Sequence, residues 1–247
     1  MNLIKNIFAR VFALWAIMLF VGTMLLILIP VWLLGFVDEP RRTQIFIRIS
    51  RMWMGIFLPL SGCPLRIYGK SHFIEGENYI VVCNHNTMMD VPVSSPGIPG
   101  GNKTIAKIEM ASLPLFGLIY KRGSVLVDRK SEESRKQSYL EMKQVLAMGL
   151  HMCIYPEGTR NRTGQPLKTF KDGAFRLGIE TGKPIMPALI LNTKKVMPAN
   201  RFFYFWPSPI SFHFLPAFET KHLTLADLDA LKAQVHHTMY SFIEQHS

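Results

Sequence analysis

The chain has 247 residues, of which 49% are hydrophobic, and it carries a formal net charge of +11. This length allows one large domain or two small ones, with a core of ordinary size. The positive charge implies an anionic partner: nucleic acid, an acidic membrane surface, or a phosphorylated or acidic-protein substrate. A membrane is favoured over nucleic acid because the aromatic and basic residues cluster beside a long apolar run. The three cysteines, Cys63, Cys83 and Cys153, are too few and too far apart for a disulfide framework or a zinc site, and we expect buried thiols.

Residues 11–37 contain no charged side chain, which predicts a membrane-embedded segment. A straight helix of that length would reach roughly 40 Å, more than a hydrocarbon core of about 30 Å. Gly22 and Pro30 interrupt the run, so a helical hairpin entering one leaflet and a tilted single span both fit the sequence. Arginines and lysines on both sides of the run place the rest of the chain on the cytoplasmic face. A cleaved signal peptide is disfavoured because the run is too long and no small-residue cleavage pattern follows it.

Residues 41–60 are rich in arginine and aromatic residues, with apolar side chains at helical spacing. This pattern is typical of an interfacial helix, in which the stems of Arg48 and Arg51 would extend towards lipid phosphates. A core helix of the soluble domain is the alternative. Residues 61–64, Ser-Gly-Cys-Pro, end the pattern. We therefore place a domain boundary here, with membrane-anchoring helices in residues 1–60 and an α/β domain in residues 61–247.

Short apolar runs alternate with helical patterns through the rest of the chain, which predicts an α/β fold with a mostly parallel central sheet flanked by helices. The expected strands are residues 65–68, 79–83, 103–106, 125–127, 152–155, 185–191 and 210–214. The expected helices are residues 88–93, 112–120, 131–148, 172–181 and 225–245. Ser131 and Thr224 are predicted N-caps, and Gly149 and Gly182 predicted helix ends. Residues 192–209 are aromatic and proline-rich without a period, so we expect a loop and a further membrane contact.

His85 and Asp90 follow the strand predicted at residues 79–83. Open α/β sheets usually place their ligands at the ends of strands, and a histidine near a carboxylate is a candidate general base with its orienting partner. Residues five apart on a continuous helix lie about 140° apart, so the two side chains can meet only if the chain turns between them. We predict this turn at Asn86 and Thr87. A histidine in this position is also often a structural cap.

Other predicted strands end in basic residues. Lys107 follows one strand and Arg129 follows the next, and residues 155–161 form a turn containing Glu157, Gly158 and Arg160. Guanidinium groups bind phosphate oxygens at two points, lysine adds a point charge, and glycine allows a close backbone approach. Each of these residues, taken singly, is also consistent with a solvated charge in a loop.

Four segments in this order resemble the conserved blocks of the glycerolipid acyltransferase family, specifically the bacterial 1-acyl-sn-glycerol-3-phosphate acyltransferases. They are His-x4-Asp at His85 and Asp90, Gly-Ser-Val-Leu-Val-Asp-Arg at residues 123–129, Tyr-Pro-Glu-Gly-Thr-Arg at residues 155–160, and Pro-Ile-Met-Pro at residues 184–187. The apolar N-terminus also resembles the two-helix membrane segment of bacterial members. Thr87, Tyr155 and Asn161 depart from the residues that are common in the family, and none of these departures removes a reacting group.

The resemblance implies that His85 is the general base, which removes the proton from the sn-2 hydroxyl of the acceptor as that oxygen attacks an acyl thioester. Asp90 would orient and charge the imidazole. The remaining block residues would bind the glycerol-phosphate head group: Arg129, Glu157, Gly158, Thr159 and Arg160, with Lys107 as a helper. No Gly-x-Ser-x-Gly elbow is present, so direct transfer is favoured over a covalent acyl-enzyme.

The expected partners are lysophosphatidic acid, acyl-CoA or acyl carrier protein as the acyl donor, and an anionic phospholipid membrane, but not nucleic acid. No metal or organic cofactor is implied, and the expected location is the cytoplasmic side of the cell inner membrane. The first alternative keeps the mechanism and changes the acceptor to another lysophospholipid or a lyso-aminolipid. The second is a non-catalytic lipid-binding protein at the membrane, and the third, a nucleic-acid binder, depends on the net charge alone.

Overall fold

The computed structural model describes residues 3–246. Eight α-helices lie in this range: α1 Leu3–Leu33, α2 Arg41–Leu60, α3 Asp90–Gly97, α4 Phe116–Gly123, α5 Glu132–Ala147, α6 Gly173–Thr181, α7 Thr193–Val196 and α8 Leu228–Gln245. The seven strands are β1 Leu65–Tyr68, β2 Ile80–Cys83, β3 Asn102–Lys107, β4 Ser124–Val127, β5 His151–Ile154, β6 Ile185–Leu191 and β7 Ile210–Phe214. The predicted α/β fold with a mostly parallel sheet is confirmed.

The strands form one sheet in the order β1-β7-β6-β2-β5-β3-β4. The five strands β6, β2, β5, β3 and β4 are parallel, whereas β7 runs antiparallel to β6 and β1 runs parallel to β7. Helices α5, α6 and α8 cover one face, and α2, α3 and α4 cover the other. Because these five neighbouring strands are parallel, their carboxyl ends meet at one edge of the sheet, which we call the catalytic edge.

The apolar N-terminal run forms a single helix, α1, which continues through Gly22 and Pro30. Its 31 residues reach about 46 Å. No break occurs within the run, because a helix satisfies its own backbone groups and Pro30 costs only the hydrogen bond of one residue near the end. The segment Leu3–Phe36 is long and apolar enough to cross a membrane. Only 22% of its most apolar stretch of 18 residues is buried within the protein. The outer face of α1 is that of a membrane-associated helix.

Helix α2 runs back along α1 and packs on the sheet. The Trp53 indole donates to the Thr23 hydroxyl at 2.8 Å, and the Trp15 indole donates to the Leu60 carbonyl at 3.1 Å. The buried face of α2 belongs to the same hydrophobic cluster as the inner residues of β2, β6 and β7. One face of α2 is therefore part of the core, as the alternative interpretation of residues 41–60 expected. Met52 and Ile56 on its other face are exposed. The proposed domain boundary at residue 60 stays a prediction.

Arg51 does not extend away from the protein as predicted for an interfacial helix. Its guanidinium donates to the carbonyls of Pro96 and Ile98, both at 3.0 Å, and so satisfies the carboxyl end of α3. Glu39, just before α2, forms ion pairs with Lys103 of β3 at 2.8 Å and with Arg42 at 3.0 Å. These contacts fix the start of α2 to the sheet and its middle to the end of α3.

Three predicted elements differ from those observed. The helix expected at residues 88–93 starts only at Asp90, because the preceding residues form a turn around the Asp90 carboxylate. The helix expected at residues 112–120 starts at Phe116, because Pro114 keeps the preceding residue extended, and a 3₁₀ turn occupies Ile108–Ser112 instead. Residues 192–209, expected to be a loop, begin with the short helix α7. The predicted caps are confirmed at Ser131, whose side chain accepts from the Ser134 amide, and at Thr224, which forms a capping box with Asp227.

Candidate active site

The predicted site residues come from four neighbouring strand ends at the catalytic edge. His85 follows β2, Glu157 to Arg160 follow β5, Lys107 ends β3, and Arg129 follows β4. The sheet order places β2 beside β5, β5 beside β3 and β3 beside β4. The structure therefore brings together, along one edge, residues that are up to 75 positions apart in the sequence, counted from His85 to Arg160.

The residues after β2 form a tight turn, residues 84–90, which we call the base turn. His85 Nδ1 lies 2.8 Å from Asp90 Oδ2. The same carboxylate oxygen accepts the backbone amides of Asn86 at 2.5 Å and Thr87 at 2.7 Å. The predicted turn at Asn86 and Thr87 is confirmed, and the two side chains meet because the chain wraps around the carboxylate.

The second oxygen of the carboxylate is also satisfied. Asp90 Oδ1 accepts the hydroxyl of Thr193 at 2.8 Å and that of Thr87 at 3.5 Å. Asp90 is completely buried. A buried carboxylate with this many donors is held in one orientation.

The Asp90 carboxylate decides which nitrogen of the imidazole carries the proton. A carboxylate can only accept at Nδ1, so the neutral ring carries its proton there and leaves the Nε2 lone pair available. The His85 side chain is 20% exposed, and Nε2 makes no hydrogen bond within residues 3–246. The ring thus presents a base to a molecule that arrives from outside.

The imidazole lies against the Tyr155 ring, with ring centroids 4.3 Å apart and planes 28° apart. The Tyr155 hydroxyl is 2.7 Å from the Ser94 hydroxyl of α3. Burial raises the pKa of the Tyr155 hydroxyl well above its usual value, so this group stays protonated. Tyr155 therefore supports one face of the imidazole, and Ser94 fixes Tyr155.

Glu157 connects the base turn to the loop after β5. One carboxylate oxygen accepts the backbone amide of His85 at 2.7 Å, and the other accepts the amide of Lys168 at 3.0 Å. The side chain is buried, and burial raises its pKa while the two backbone hydrogen bonds lower it. The described contacts of Glu157 therefore hold the site together, and its direct contact with a head group stays a prediction.

Two segments rich in basic residues, residues 128–135 and 158–171, lie beside the base turn, and we call them the cationic loops. The Arg129 guanidinium donates to the carbonyl of Gly158, and the Arg135 guanidinium donates to the carbonyl of Arg129 at 3.0 Å. Gly158 has a φ of 72°, a left-handed conformation that turns its carbonyl towards Arg129 and that favours glycine. These contacts join the two loops and leave the arginines on the surface.

The other predicted head-group residues differ in their surroundings. The Thr159 hydroxyl accepts a hydrogen bond from Lys168 Nζ at 2.6 Å. Arg160 is half-buried, next to Asn161, whose backbone N–H donates to the His85 carbonyl at 2.6 Å. Within the part of the chain that the structure describes, neither Arg160 nor the exposed Lys107 forms an ion pair. Arg160 therefore carries a guanidinium that no carboxylate of these residues neutralises, and the next residue in the chain contacts the base turn.

Sequence reasoning missed Thr193 and Asn84. The Asn84 amide donates to the carbonyl of Ile190 at 2.9 Å and accepts from its backbone N–H at 2.7 Å, which joins the ends of β2 and β6. Thr193 lies directly after β6 and contacts Asp90. Its position after a predicted parallel strand was the available signal, because that strand had to end at the same edge as the other four.

Cys83 and Cys153 lie on the neighbouring strands β2 and β5 with their sulfur atoms 3.8 Å apart, and both are buried. The expectation of buried free thiols is confirmed for all three cysteines. Burial raises the pKa of the Cys83 thiol well above its usual value, so Cys83 is a poor nucleophile. Among residues 3–246, no group of three His, Cys, Asp or Glu side chains could hold a metal ion, and the absence of a cofactor stays a prediction.

This geometry agrees with comparisons with known proteins. A family model described as "Acyltransferase" matches residues 64–191, which contain the base turn and both cationic loops. The chain is 29% identical over 200 residues to human 1-acyl-sn-glycerol-3-phosphate acyltransferase alpha, covering 80% of this chain and 70% of that protein. It is 29% identical over 158 residues to 1-acyl-sn-glycerol-3-phosphate acyltransferase of Haemophilus influenzae, covering 62% and 64%.

The fold is similar to the crystal structure of the 1-acyl-sn-glycerophosphate acyltransferase from Thermotoga maritima. The TM-score is 0.77 at 20% identity, and the match covers 99% of this chain and 97% of that one. The family model matches more than half of the chain, 128 of 247 residues when residues 64 to 191 are counted inclusively. The chain belongs to the acyltransferase family.

Proposed function

We propose that this acyltransferase transfers an acyl chain from an acyl thioester to the sn-2 hydroxyl of 1-acyl-glycerol-3-phosphate and so produces phosphatidic acid. The observation that carries the proposal is the 2.8 Å contact between His85 Nδ1 and Asp90 Oδ2, which leaves Nε2 available beside the cationic loops. The names of the curated relatives support the choice of acceptor.

In the reaction, His85 Nε2 accepts the proton of the acceptor hydroxyl as the hydroxyl oxygen forms a bond to the thioester carbonyl carbon. The carbon–sulfur bond then breaks, and the leaving thiolate takes the proton from the imidazolium. Asp90 stabilises the imidazolium between these two steps, as the aspartate of a hydrolytic triad does. The substrate supplies the nucleophile, so no protein side chain becomes acylated.

Arg160 is the proposed main ligand of the acceptor phosphate, because it is half-buried beside the base turn and has no carboxylate partner among the described residues. Arg129 and Lys107 lie farther along the catalytic edge and add positive charge there. A phosphate held by guanidinium groups on one side would place the neighbouring glycerol hydroxyl towards the imidazole.

The proposed acyl donor is carried on coenzyme A or on acyl carrier protein, both of which are anionic. The cationic loops contain seven basic and three acidic residues, and their net charge of +4 is more than one phosphate monoester needs. None of their lysines and arginines forms an ion pair within residues 3–246. These basic side chains are Arg129, Lys130, Arg135, Arg160, Arg162, Lys168 and Lys171. Such a surface would attract an anionic carrier and orient it before transfer.

The proposed location is the cytoplasmic side of the cell inner membrane. The apolar outer face of α1 would enter the bilayer, and basic residues flank its apolar run, residues 11–37, on both sides. The acceptor is itself a membrane lipid, so an enzyme that lies on the bilayer can reach the glycerol hydroxyl without extracting the acyl chain completely from the membrane.

Product analysis of the purified full-length protein tests the proposal. The acceptors are lysophosphatidic acid, a lysophospholipid with a phosphodiester head group, and a monoacylglycerol without phosphate. Each is offered with acyl-CoA and with the acyl thioester of acyl carrier protein. We expect phosphatidic acid as the main product by mass spectrometry. Acylation of the diester in preference to lysophosphatidic acid would contradict the proposed acceptor, and no product with any pair would contradict the proposed reaction.

A further inference from the structure

We infer that Thr193 is a positioning residue for acyl transfer, which acts through Asp90 and does not contact the substrates. The inference rests on the proposed function, because it assigns Thr193 a part in the same proton transfer. It concerns the end of β6, which contributes no residue to the general base, to the cationic loops or to the predicted head-group site.

The contacts of Asp90 are divided unequally between its two oxygens. Oδ2 accepts three hydrogen bonds, from His85 Nδ1 and from the amides of Asn86 and Thr87. Oδ1 accepts one short hydrogen bond, from the Thr193 hydroxyl at 2.8 Å, and a long one from the Thr87 hydroxyl at 3.5 Å. All the donors to Oδ2 belong to the base turn itself. Thr193 is therefore the one close donor among the described residues that ties the carboxylate to another strand.

The position of Thr193 is itself fixed. The Asn84 amide joins the end of β2 to Ile190 near the end of β6. Asn192 then adopts a left-handed conformation, with a φ of 71°, and redirects the chain so that α7 begins with Thr193. Thr193 is completely buried. Since a carboxylate only accepts hydrogen bonds, the hydroxyl must donate its proton to Asp90, and its orientation is determined.

This arrangement has a consequence for the base. The Asp90 carboxylate can rotate about its Cβ–Cγ bond. A rotation that brought Oδ1 to another donor would lengthen the hydrogen bond between Oδ2 and the imidazole. The Thr193 hydroxyl opposes this rotation because it donates to Oδ1 in its present position. Without it, Oδ1 keeps only the 3.5 Å contact, and a buried carboxylate with fewer donors binds a proton more tightly. The His85–Asp90 pair would then hold its proton to higher pH.

Within residues 3–246, three other titratable groups interact with the pair: Cys83, Tyr155 and Glu157. Burial raises the pKa of the Cys83 thiol and of the Tyr155 hydroxyl, so both stay neutral in the working range. The Glu157 carboxylate is bonded to two backbone amides. A change at Thr193 leaves the direct contacts of Glu157 unaltered, so the pH profile reports on the pair.

The test compares Thr193→Val, which keeps the shape and removes the hydroxyl, with Thr193→Ser, which keeps the hydroxyl. The matched control is Thr220→Val. Thr220 is also completely buried, but its hydroxyl donates to the carbonyls of Gly178 and Lys183, away from the catalytic edge. Each protein is assayed for kcat, for the KM of the acceptor, for the pH profile of kcat/KM and for the melting temperature.

For Thr193→Val we expect kcat to fall about tenfold with the acceptor KM unchanged, and the acidic limb of the kcat/KM profile to move to higher pH. Thr193→Ser should keep most of the wild-type kcat, and the acidic limb of its kcat/KM profile should coincide with that of the wild type. Thr220→Val should lower the melting temperature without moving the limb. If Thr193→Val does not fold, Thr193→Ala is measured in its place, with the same expectations.

A Thr193→Val protein with wild-type kcat and profile would overturn the inference while leaving the proposed function standing. Equal impairment of the Ser and Val variants, with no movement of the acidic limb, would show a purely structural role and would also overturn it. A wild-type protein that acylates no acceptor would contradict the proposed function and the inference together, so the two failures are distinguishable.

Discussion

The base turn and the cationic loops lie at the same sheet edge but differ in how their polar groups are satisfied. In the base turn, each oxygen of Asp90 already has donors from the protein, and the imidazole is supported by Tyr155. In the cationic loops, the basic side chains contact backbone carbonyls, a hydroxyl or solvent, and none forms an ion pair within residues 3–246. The base is thus organised before substrate arrives, whereas the cations lack an anion. This difference indicates that an anionic substrate would neutralise the cationic loops on binding, whereas the base turn needs no rearrangement.

The largest effect is expected at the base. His85→Ala should lower kcat about 1,000-fold, since a positioned general base contributes on the order of 10²–10⁴. The acceptor KM should change little, because the cationic loops remain intact. His222→Ala is the control, as His222 is exposed and lies before the last helix. Acyl incorporation measures both, and wild-type turnover in His85→Ala would remove the proposed base.

A smaller and more selective effect is expected in the cationic loops. Arg160→Ala should lower kcat/KM about 100-fold for phosphorylated acceptors by raising KM, because a charge-assisted contact to phosphate is lost. Acceptors without phosphate should be affected far less. Arg66→Ala, an exposed change in β1 at the far end of the sheet, is the control. An equal loss with both kinds of acceptor would show that Arg160 does not recognise phosphate.

A loss of activity at low pH can come from the active site or from unfolding of the protein. Glu39 lies outside the active site, and we use it to measure how stability alone depends on pH. Burial alone raises the pKa of Glu39, but hydrogen bonds from Lys103, Thr43 and Arg42 lower it from 4.5 to about 2. A depressed carboxyl pKa contributes stability that is present above the unfolded value of 4.5 and is lost as pH falls towards about 2. After allowance for solvent screening, this contribution is about 2 kcal/mol.

Glu39→Gln should therefore lower the free energy of unfolding by about 2 kcal/mol at pH 7 and by much less near pH 2. Its acidic activity limb, measured where the protein is folded, should coincide with that of the wild type. Thermal melting across this pH range provides the check. A difference between variant and wild type that persists unchanged down to pH 2 would contradict the assigned ion pairs.

The smallest effect is expected for Tyr155→Phe. The ring that supports the imidazole is kept and only the hydroxyl contact with Ser94 is lost, so kcat should fall less than about threefold and stability by about 1 kcal/mol. Ser94→Ala should give a similar loss of stability, and the double variant should cost less than the sum of the two. A tenfold fall in kcat for Tyr155→Phe would assign the hydroxyl a direct part in the reaction.

Much of the fold could be predicted from the sequence, because most elements have a clear local pattern. Strands β1, β6 and β7 are apolar runs bounded by Gly, Pro or polar residues, and their predicted limits agree with the structure. The errors occur where a contact between residues far apart in the sequence determines the local structure. Arg51 follows a pattern typical of a membrane surface, but it contacts the end of α3, which no local pattern could show.

The site shows the same division. The pairing of His85 with Asp90 and the turn between them follow from their spacing and from helix geometry. The contact between Asp90 and Thr193 spans 103 residues and depends on the order of the strands in the sheet. Glu157 was predicted from its block to bind the head group, and only the coordinates show both its oxygens on backbone amides. Its role as a ligand stays a prediction.

The contact between Asp90 and Thr193 also bears on biosynthesis. A nascent chain that has emerged from the ribosome only as far as residue 180 already contains the base, its carboxylate and every proposed phosphate ligand, but β6 and the residues after it are still missing. The carboxylate would then lack Thr193, and β6, one of the two strands that adjoin β2, would be absent. Competence for turnover would accordingly arise late in synthesis, once β6 has joined the sheet beside β2, and an unfinished polypeptide would not transfer acyl chains in the cell.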